Sequence, residues 1–230
     1  MTVPSTVPRG GMLARAIADH PAIERDTFVD VLLRTPALPR PSARALRDDD
    51  ELVDCIPSGV AAVARALAQA RVGPDDIFVD VGSGLGTVAV LAHLLTGATV
   101  IGVEIQPDLV AASRRRADDL GLTGVSFVEA DARTALPRGS VYYLYTPCVG
   151  DSMARVQAQL LDIAQTQQIA ICTLGFDLPP CASRRVVDDD SLFLTVHESV
   201  VAGATLRRRS ELADPFLRTL TTVDWVAPTR

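Results

Sequence analysis

The fold of this chain is decided by one short stretch, Val79-Asp80-Val81-Gly82-Ser83-Gly84-Leu85-Gly86-Thr87. It continues an apolar, β-branched run that is typical of a strand buried on both faces. It leads into a segment whose apolar residues recur with the spacing of a helix. Glycines between the two allow a tight turn and let a ligand approach bare backbone, and N–H groups at the helix start favour a negative group. The stretch therefore predicts a strand–loop–helix unit that binds a ligand.

The spacing of the glycines separates two kinds of nucleotide-binding loop. A dinucleotide fingerprint, G-x-G-x-x-G, requires a third glycine at the position that Thr87 occupies. This chain instead has G-x-G-x-G, preceded two positions earlier by Asp80. The spacing argues against a nicotinamide-dependent enzyme.

Two acidic residues follow the next two predicted strands. Glu104 ends the run 99–103, about 20 positions after the glycines, where a carboxylate can accept hydrogen bonds from a ribose diol. Asp131 lies just past the run 125–129, where it could accept from the exocyclic amine of adenine, and Ala132 offers a backbone N–H to the ring. A solvated strand-end carboxylate is the alternative for Glu104, but its register with the glycine loop favours a ligand role.

The rest of the chain alternates between strands and helices. Helical segments are predicted at about 107–120 and 151–165, and a further helix follows Ser58, a plausible N-cap. Strand-like runs recur at 77–81, 99–103, 125–129, 141–145, 168–173 and 192–198. This alternation predicts an α/β fold with a doubly wound, mostly parallel sheet.

The N-terminal part has a different pattern. Residues 12–19 and 23–34 are predicted as two short helices, the second with Phe28, Val31 and Leu32 on one face. Three prolines between positions 35 and 41 end the helical structure. We therefore expect residues 1–54 to form a helical arm or cap and residues 55–230 to form the ligand-binding domain.

These motifs, in this order and at this spacing, resemble those of class I S-adenosylmethionine-dependent methyltransferases over roughly residues 55–200. The resemblance implies a Rossmann-like, seven-stranded sheet, with S-adenosyl-L-methionine as the cofactor and S-adenosyl-L-homocysteine as the product. It implies that the glycine loop packs against the methionine part, that Glu104 binds the ribose, that Asp131 and Ala132 hold the adenine, and that Asp80 orients the loop and faces the amino group. The loop residues concerned are Gly82, Ser83, Gly84 and Gly86.

A narrower likeness concerns the segment from Ile56-Pro57-Ser58 through the glycine loop. It is similar to the protein-lysine methyltransferases related to histone H3 lysine-79 methyltransferases and to their archaeal relatives, which carry Thr or Ser about two dozen residues before the first glycine. Ser58 stands 24 positions before Gly82, so the likeness places Ser58 next to the cofactor. The runs 141–146 and 169–173, with a helix between them, follow the archaeal layout.

The acceptor side is predicted at the end of the fourth strand, at Tyr145, Thr146 and Pro147. Tyr145 either lines an acceptor channel, hydrogen-bonds the nucleophile, or fills the cleft wall. A sulfonium methyl group is already activated, so alignment is the main requirement, and no general base is assigned. His93 and His197 are interpreted as packing residues.

Three functions remain open at this point. The first is methyl transfer to a nitrogen or oxygen nucleophile of a small molecule, with the N-terminal helices as a lid. The second is the same chemistry on a protein or peptide lysine, and the third is a non-catalytic cofactor-binding module. A closed pocket under residues 12–54 would favour the small molecule, and an open rim would favour the protein.

Composition narrows the remaining possibilities. The net charge is −6 and the pI is about 5.0, which argues against a nucleic acid partner. Four cysteines and three histidines are scattered without metal-ligand spacing, so no metal is expected. No signal pattern or membrane-length apolar run occurs, so we expect a cytoplasmic protein without a membrane partner. The acidic runs 48–51 and 188–190 could attract a cationic substrate, but we interpret them as solvated loops.

All 22 basic residues are arginine, and the chain has neither lysine nor asparagine. Codon bias explains both absences, whereas protection of a lysine methyltransferase from its own activity would explain only one. The absence of lysine removes a catalytic ammonium, a Schiff-base former and a lysine phosphate anchor from the possible chemistry.

Overall fold

The computed structural model describes residues 7–36, 49–179, 183–189, 192–199 and 201. Within them the chain forms a seven-stranded sheet in the order β3-β2-β1-β4-β5-β7-β6. The strands are β1 (Ile77–Val81), β2 (Thr99–Glu104), β3 (Val125–Glu129), β4 (Val141–Tyr145), β5 (Ala170–Leu174), β6 (Ser183–Asp189) and β7 (Leu194–Ser199). The helices are α1 (Gly10–Ala18), α2 (Arg25–Leu32), α3 (Val60–Gln69), α4 (Thr87–Thr96), α5 (Pro107–Asp119) and α6 (Gly150–Thr166). A short 3-10 turn, Ala22–Glu24, precedes α2.

The order of the strands creates a switch point in the sheet. The first five strands are parallel, and the chain moves outward from β1 to β3 before it crosses to β4 on the other side of β1. Strand β7 is antiparallel to both β5 and β6. The predicted Rossmann-like α/β fold is confirmed. In such sheets ligands bind outside the carboxyl ends of the strands where the winding reverses, which here is between β1 and β4.

Strand β6 lies at an edge of the sheet and was not among the strand-like runs. Its sequence, Ser-Arg-Arg-Val-Val-Asp-Asp, has neither a continuous apolar run nor an alternating apolar pattern, so hydrophobic periodicity could not indicate it. The interpretation of Asp188 and Asp189 as loop residues is therefore wrong. Asp190 lies outside the described residues.

Both faces of the sheet are covered by helices. On one face, Phe78, Tyr143 and Cys172 belong to the core cluster that includes buried residues of α3 and α4. On the other face, Val79 and Tyr142 pack with α6. Successive strand residues point to opposite faces, which explains why neighbours such as Tyr142 and Tyr143 enter different cores.

The N-terminal helices share the first of these cores. Leu13 and Ile17 of α1, together with Val29 and Leu32 of α2, belong to the same cluster as the inner faces of α3 and α4. Val31 lies on the outer side of α2 and is exposed, which corrects its predicted place on the buried face. The buried face of α2 is set by Arg25, Val29 and Leu32, at i, i+4 and i+7.

The predicted N-cap of α3 is wrong. Gly59 occupies the cap position and no side chain of the cap residue bonds to the helix. The Val60 N–H donates instead to Asp26 Oδ1 of α2, at 2.7 Å. A carboxylate from another helix thus satisfies the helix start, and Ser58 lies in the wall of the cavity described below.

Candidate functional site

A cavity of about 330 Å³ lies at the carboxyl ends of the strands around the switch point. One wall is the glycine loop after β1 with the ends of β2 and β3, and another is the end of β4. A further wall is the strap, which we define as residues 49–58, of which 52–58 line the cavity. Ten of the sequence-predicted site residues line it: Ser58, Asp80, Gly82, Ser83, Glu104, Asp131, Ala132, Tyr145, Thr146 and Pro147.

The glycine loop is held tightly between β4 and the strap. Gly82 has φ +80° and Gly84 has φ +54°, values that side-chain-bearing residues rarely adopt. A Cβ on Gly82 would lie 2.7 Å from Pro147 Cβ, and a Cβ on Gly84 would lie 2.5 Å from Cys55 Sγ. Gly84 and Gly86 do not line the cavity; they allow the loop to pack closely against its neighbours.

Glu104 joins the end of β2 to the glycine loop. Its carboxylate accepts the Gly84 N–H at 2.8 Å and also the N–H groups of Ile105 and Gln106. Burial raises the pKa of Glu104, and these three bonds act against that rise. A carboxylate has about four acceptor positions, so Glu104 can support the loop and still accept from a ligand hydroxyl.

Asp80 is almost fully buried at the centre of the site. Burial raises its pKa to about 7, with the nearby Glu104 adding to the effect. Its Oδ2 atom has no hydrogen-bond partner. A carboxyl group in this state attracts a cationic ligand group, because a nearby positive charge favours the ionised form.

Unpartnered polar atoms are concentrated at this cavity. Buried polar side-chain atoms nearly always have partners, yet six described residues carry one without: Thr35, Asp80, Ser83, Gln106, Arg116 and Tyr143. Five of these six, all except Arg116, line the cavity. The residues therefore fit a ligand with an amino group, ribose hydroxyls and an adenine ring, as S-adenosylmethionine has.

The adenine side contains an arginine that the sequence reasoning missed. The Arg133 guanidinium donates to both carboxylate oxygens of Asp131, at 2.8–3.1 Å, and also to Asp49 and Ser152. Asp131 therefore lies in the predicted wall, but a ligand amine would share its oxygens with Arg133. No sequence signal indicated this, because Asp49 and Arg133 are 84 positions apart.

The strap is fastened to the start of α6 by a second acidic residue. Glu51 accepts the N–H groups of Asp151 and Ser152, at 2.9 Å each, and the Ser152 hydroxyl at 2.6 Å. A carboxylate is favoured at a helix N-terminus, and the Ser152 bond contributes most to lowering the Glu51 pKa. The interpretation of Asp49 and Glu51 as solvated loop residues is therefore wrong; both are structural anchors.

The acceptor-side residues lie at the end of β4. Tyr145 is half-buried and packs against the core, and Thr146 follows it with φ +37°. The Thr146 hydroxyl donates to the Leu174 carbonyl at 3.1 Å, which ties β4 to β5. A β-branched residue in the left-handed region is a strained position of the kind that occurs at functional sites.

The histidines lie outside the cavity lining. The His197 Nε2 atom pairs with Asp177 Oδ1 at 2.8 Å in β7, and the His93 Nδ1 atom contacts the Ala98 carbonyl at 2.7 Å. Among the residues that the structure describes, no cluster of three His, Cys, Asp or Glu side chains could hold a metal. None of the described helices is long and apolar enough to span a membrane.

Comparison with known proteins points to one enzyme class. Residues 73–143 match the family described as "Methyltransferase domain". An RNA methyltransferase from Salinibacter ruber, solved with S-adenosyl-L-homocysteine, is 27% identical with a TM-score of 0.50, covering 68% of this chain and 100% of its own. No curated protein matches the sequence.

Two more distant structures share the fold. A putative methyltransferase, yhhF, from Escherichia coli is 14% identical with a TM-score of 0.51, over 71% of this chain and 92% of its own. A mutant of MtNAS in complex with S-adenosylmethionine is 16% identical with a TM-score of 0.50, over 84% of each chain. The similarity to the Salinibacter ruber RNA methyltransferase does not agree with the expectation, drawn from the net charge, that nucleic acid is not a partner.

Proposed function

We propose that this chain, a class I S-adenosylmethionine-dependent methyltransferase, methylates a nitrogen or oxygen nucleophile of a small molecule. S-adenosyl-L-methionine is its cofactor, and the non-catalytic module considered above is set aside. The observation that carries the proposal is the contribution of the N-terminal part to the cavity. Asp30 and Thr35 of the arm and residues 52–58 of the strap line it together with the glycine loop. Coverage by these segments favours a compact acceptor over a side chain that projects from a folded protein.

The size of the cavity supports the same choice. About 330 Å³ is near the lower end of the roughly 300–1,000 Å³ typical of ligand sites. A cofactor with an adenosine and an amino-acid part would occupy much of that space. Only a small acceptor would fit beside it without movement of the strap.

The chemistry assigned to the chain is mainly one of alignment. When bound, S-adenosylmethionine supplies a methyl group on a positively charged sulfur. The residues that line the cavity would hold donor and acceptor in line, which is the main catalytic contribution needed for an activated donor. Tyr145 is proposed to line the acceptor channel or to hydrogen-bond the nucleophile. Thr146 is proposed to shape the channel, since its hydroxyl donates to Leu174.

A protein or peptide lysine is the second candidate acceptor. The observation that favours it is Ser58, which lies in the cavity wall at the position that the likeness to protein-lysine methyltransferases implies. Coverage by the arm and strap favours the small molecule over this alternative.

Transfer of a radiolabelled methyl group to a fractionated cell extract tests the proposal. The extract is separated into small-molecule, protein and RNA fractions, and each is incubated with enzyme and labelled S-adenosylmethionine. We expect the label in the small-molecule fraction. Label in the protein or the RNA fraction alone would replace the proposed acceptor class. The control is Glu104→Ala, checked by circular dichroism for folding, which should reduce labelling of every fraction.

A further inference from the structure

We propose that Tyr143 is a further cofactor-binding residue, which together with Asp80 forms the seat for the amino group at the amino-acid end of S-adenosylmethionine. The role of Asp80 follows from the resemblance, whereas that of Tyr143 comes from the structure. The proposal depends on the cofactor and not on the acceptor class proposed above.

The first observation is the register of the sheet. Asp80 of β1 and Tyr143 of β4 are direct partners in the parallel ladder across the switch point. Paired residues in a ladder place their side chains on the same face. Both residues line the cavity, and so does Ser58 of the strap. Ser58, Asp80 and Tyr143 thus form one polar group beside the apolar core of that face.

The second observation is the contrast between two neighbouring tyrosines. The Tyr142 hydroxyl, on the opposite face, donates to the Pro137 carbonyl at 3.0 Å and accepts the Gly139 N–H at 2.9 Å. The Tyr143 hydroxyl is buried and meets no partner at hydrogen-bonding geometry; burial raises its pKa, and the nearby Ser58 acts against that rise. Burying a hydroxyl without a partner is costly. A ligand that supplies the missing bond explains why the hydroxyl is there.

The third observation is the direction in which the cofactor must extend. Glu104 ends β2 and Asp131 follows β3, so the ribose and adenine would lie over that side of the sheet. The strand order β3-β2-β1-β4 then leaves β1 and β4 for the amino-acid end. Asp80 and Tyr143 are the buried polar side chains that these two strands contribute to the cavity. A carboxylate beside a phenolic oxygen is suited to an ammonium group.

Calorimetric binding of two probes to Tyr143→Phe tests the proposal. S-adenosylhomocysteine carries the amino-acid end, and 5′-methylthioadenosine lacks it. The matched control is Tyr142→Phe, the same change one residue away with the hydroxyl outside the cavity. Loss of one hydrogen bond to a charged group should weaken S-adenosylhomocysteine binding about ten- to hundredfold. Binding of 5′-methylthioadenosine should be unchanged.

The thermal midpoint gives an independent readout. Tyr142→Phe removes two satisfied hydrogen bonds and should lower the midpoint with little effect on either probe. Tyr143→Phe removes an unpartnered hydroxyl and should leave the midpoint unchanged or raised. Unchanged S-adenosylhomocysteine affinity in Tyr143→Phe, or equal weakening of both probes, would overturn the proposal. Failure of the wild type to bind either probe would instead contradict the cofactor assignment.

Discussion

The glycine loop and the strap are two walls of one cavity, and they differ in how far their anchoring depends on side chains. The loop is fixed by backbone: the N–H groups of Gly82 and Ser83 both donate to the Val103 carbonyl, at 2.8 and 2.9 Å. The strap is fixed both by backbone bonds to the segment after β4, such as the Val149 N–H to the Glu51 carbonyl at 2.8 Å, and by side chains, with Asp49 bound to Arg133 and Glu51 bound to the start of α6. We infer that the glycine loop is a rigid wall that recognises the cofactor. The strap, in contrast, can be loosened by single substitutions of the side chains that hold it.

The largest effect is expected from Gly82→Ala in the rigid wall. The new Cβ would lie 2.7 Å from Pro147 Cβ, at φ +80°. We predict loss of measurable S-adenosylhomocysteine binding and a free energy of unfolding lower by about 2 kcal/mol or more, from strain plus overpacking.

Gly121→Ala is the matched control for that substitution. Gly121 has φ +64°, but a Cβ there would meet nothing within 4 Å. It should cost only the backbone term, about 1 kcal/mol, with unchanged binding by calorimetry. Equal effects of the two substitutions would show that the close contact with Pro147 is unimportant.

A smaller effect is expected from Arg133→Met, which removes the side chain that binds Asp49 of the strap. The change removes the link between Asp49 and Asp131 and leaves two carboxylates facing each other. We predict faster hydrogen exchange in residues 49–58 and roughly tenfold weaker S-adenosylhomocysteine binding, equivalent to about 1.4 kcal/mol.

Arg138→Met, at an exposed arginine in the same loop, is the control for Arg133→Met. It should change neither the exchange nor the affinity. Unaltered exchange in the strap of Arg133→Met would contradict its role as the fastening residue.

Titratable groups in the two walls should also change stability in opposite directions as the pH rises. Burial raises the Asp80 pKa to about 7, above its ordinary value of 3.8, so ionising it in the folded state opposes stability. The free energy of unfolding should fall as pH rises between about 4 and 7, by at most about 1.4 kcal/mol per pH unit from this group. Asp80→Asn should remove that slope, as followed by denaturant titrations across the range.

In the strap, a fall in pH rather than a rise should be destabilising. The Arg133 hydrogen bond lowers the pKa of Asp49, and the Ser152 bond lowers that of Glu51. Their contribution is present above the ordinary values of 3.8 and 4.5 and is lost as the pH falls below them. Hydrogen exchange in residues 49–58 should therefore accelerate below about pH 4. Exchange that is flat from pH 5 to 3, after correction for the intrinsic rate, would contradict this.

What the sequence could predict follows the same division. The glycine loop, Glu104 and the order of strands and helices depend on neighbours in the chain and on hydrophobic periodicity, so local patterns indicate them. The strap contacts depend on pairs 84 to 101 positions apart, and no local pattern carries such pairings. The wrong prediction of Ser58 as the N-cap of α3 has the same origin. The group that accepts the Val60 N–H is Asp26 of another helix, which no local pattern could indicate.

Isothermal titration of the wild-type chain with S-adenosylmethionine and S-adenosylhomocysteine tests the cofactor site most directly. We predict one binding site for each, with the affinity for both greatly reduced in Glu104→Ala, whose side chain joins β2 to the glycine loop. No binding of either compound to the folded wild type, or undiminished binding to Glu104→Ala, would contradict the assignment of this cavity as the cofactor site.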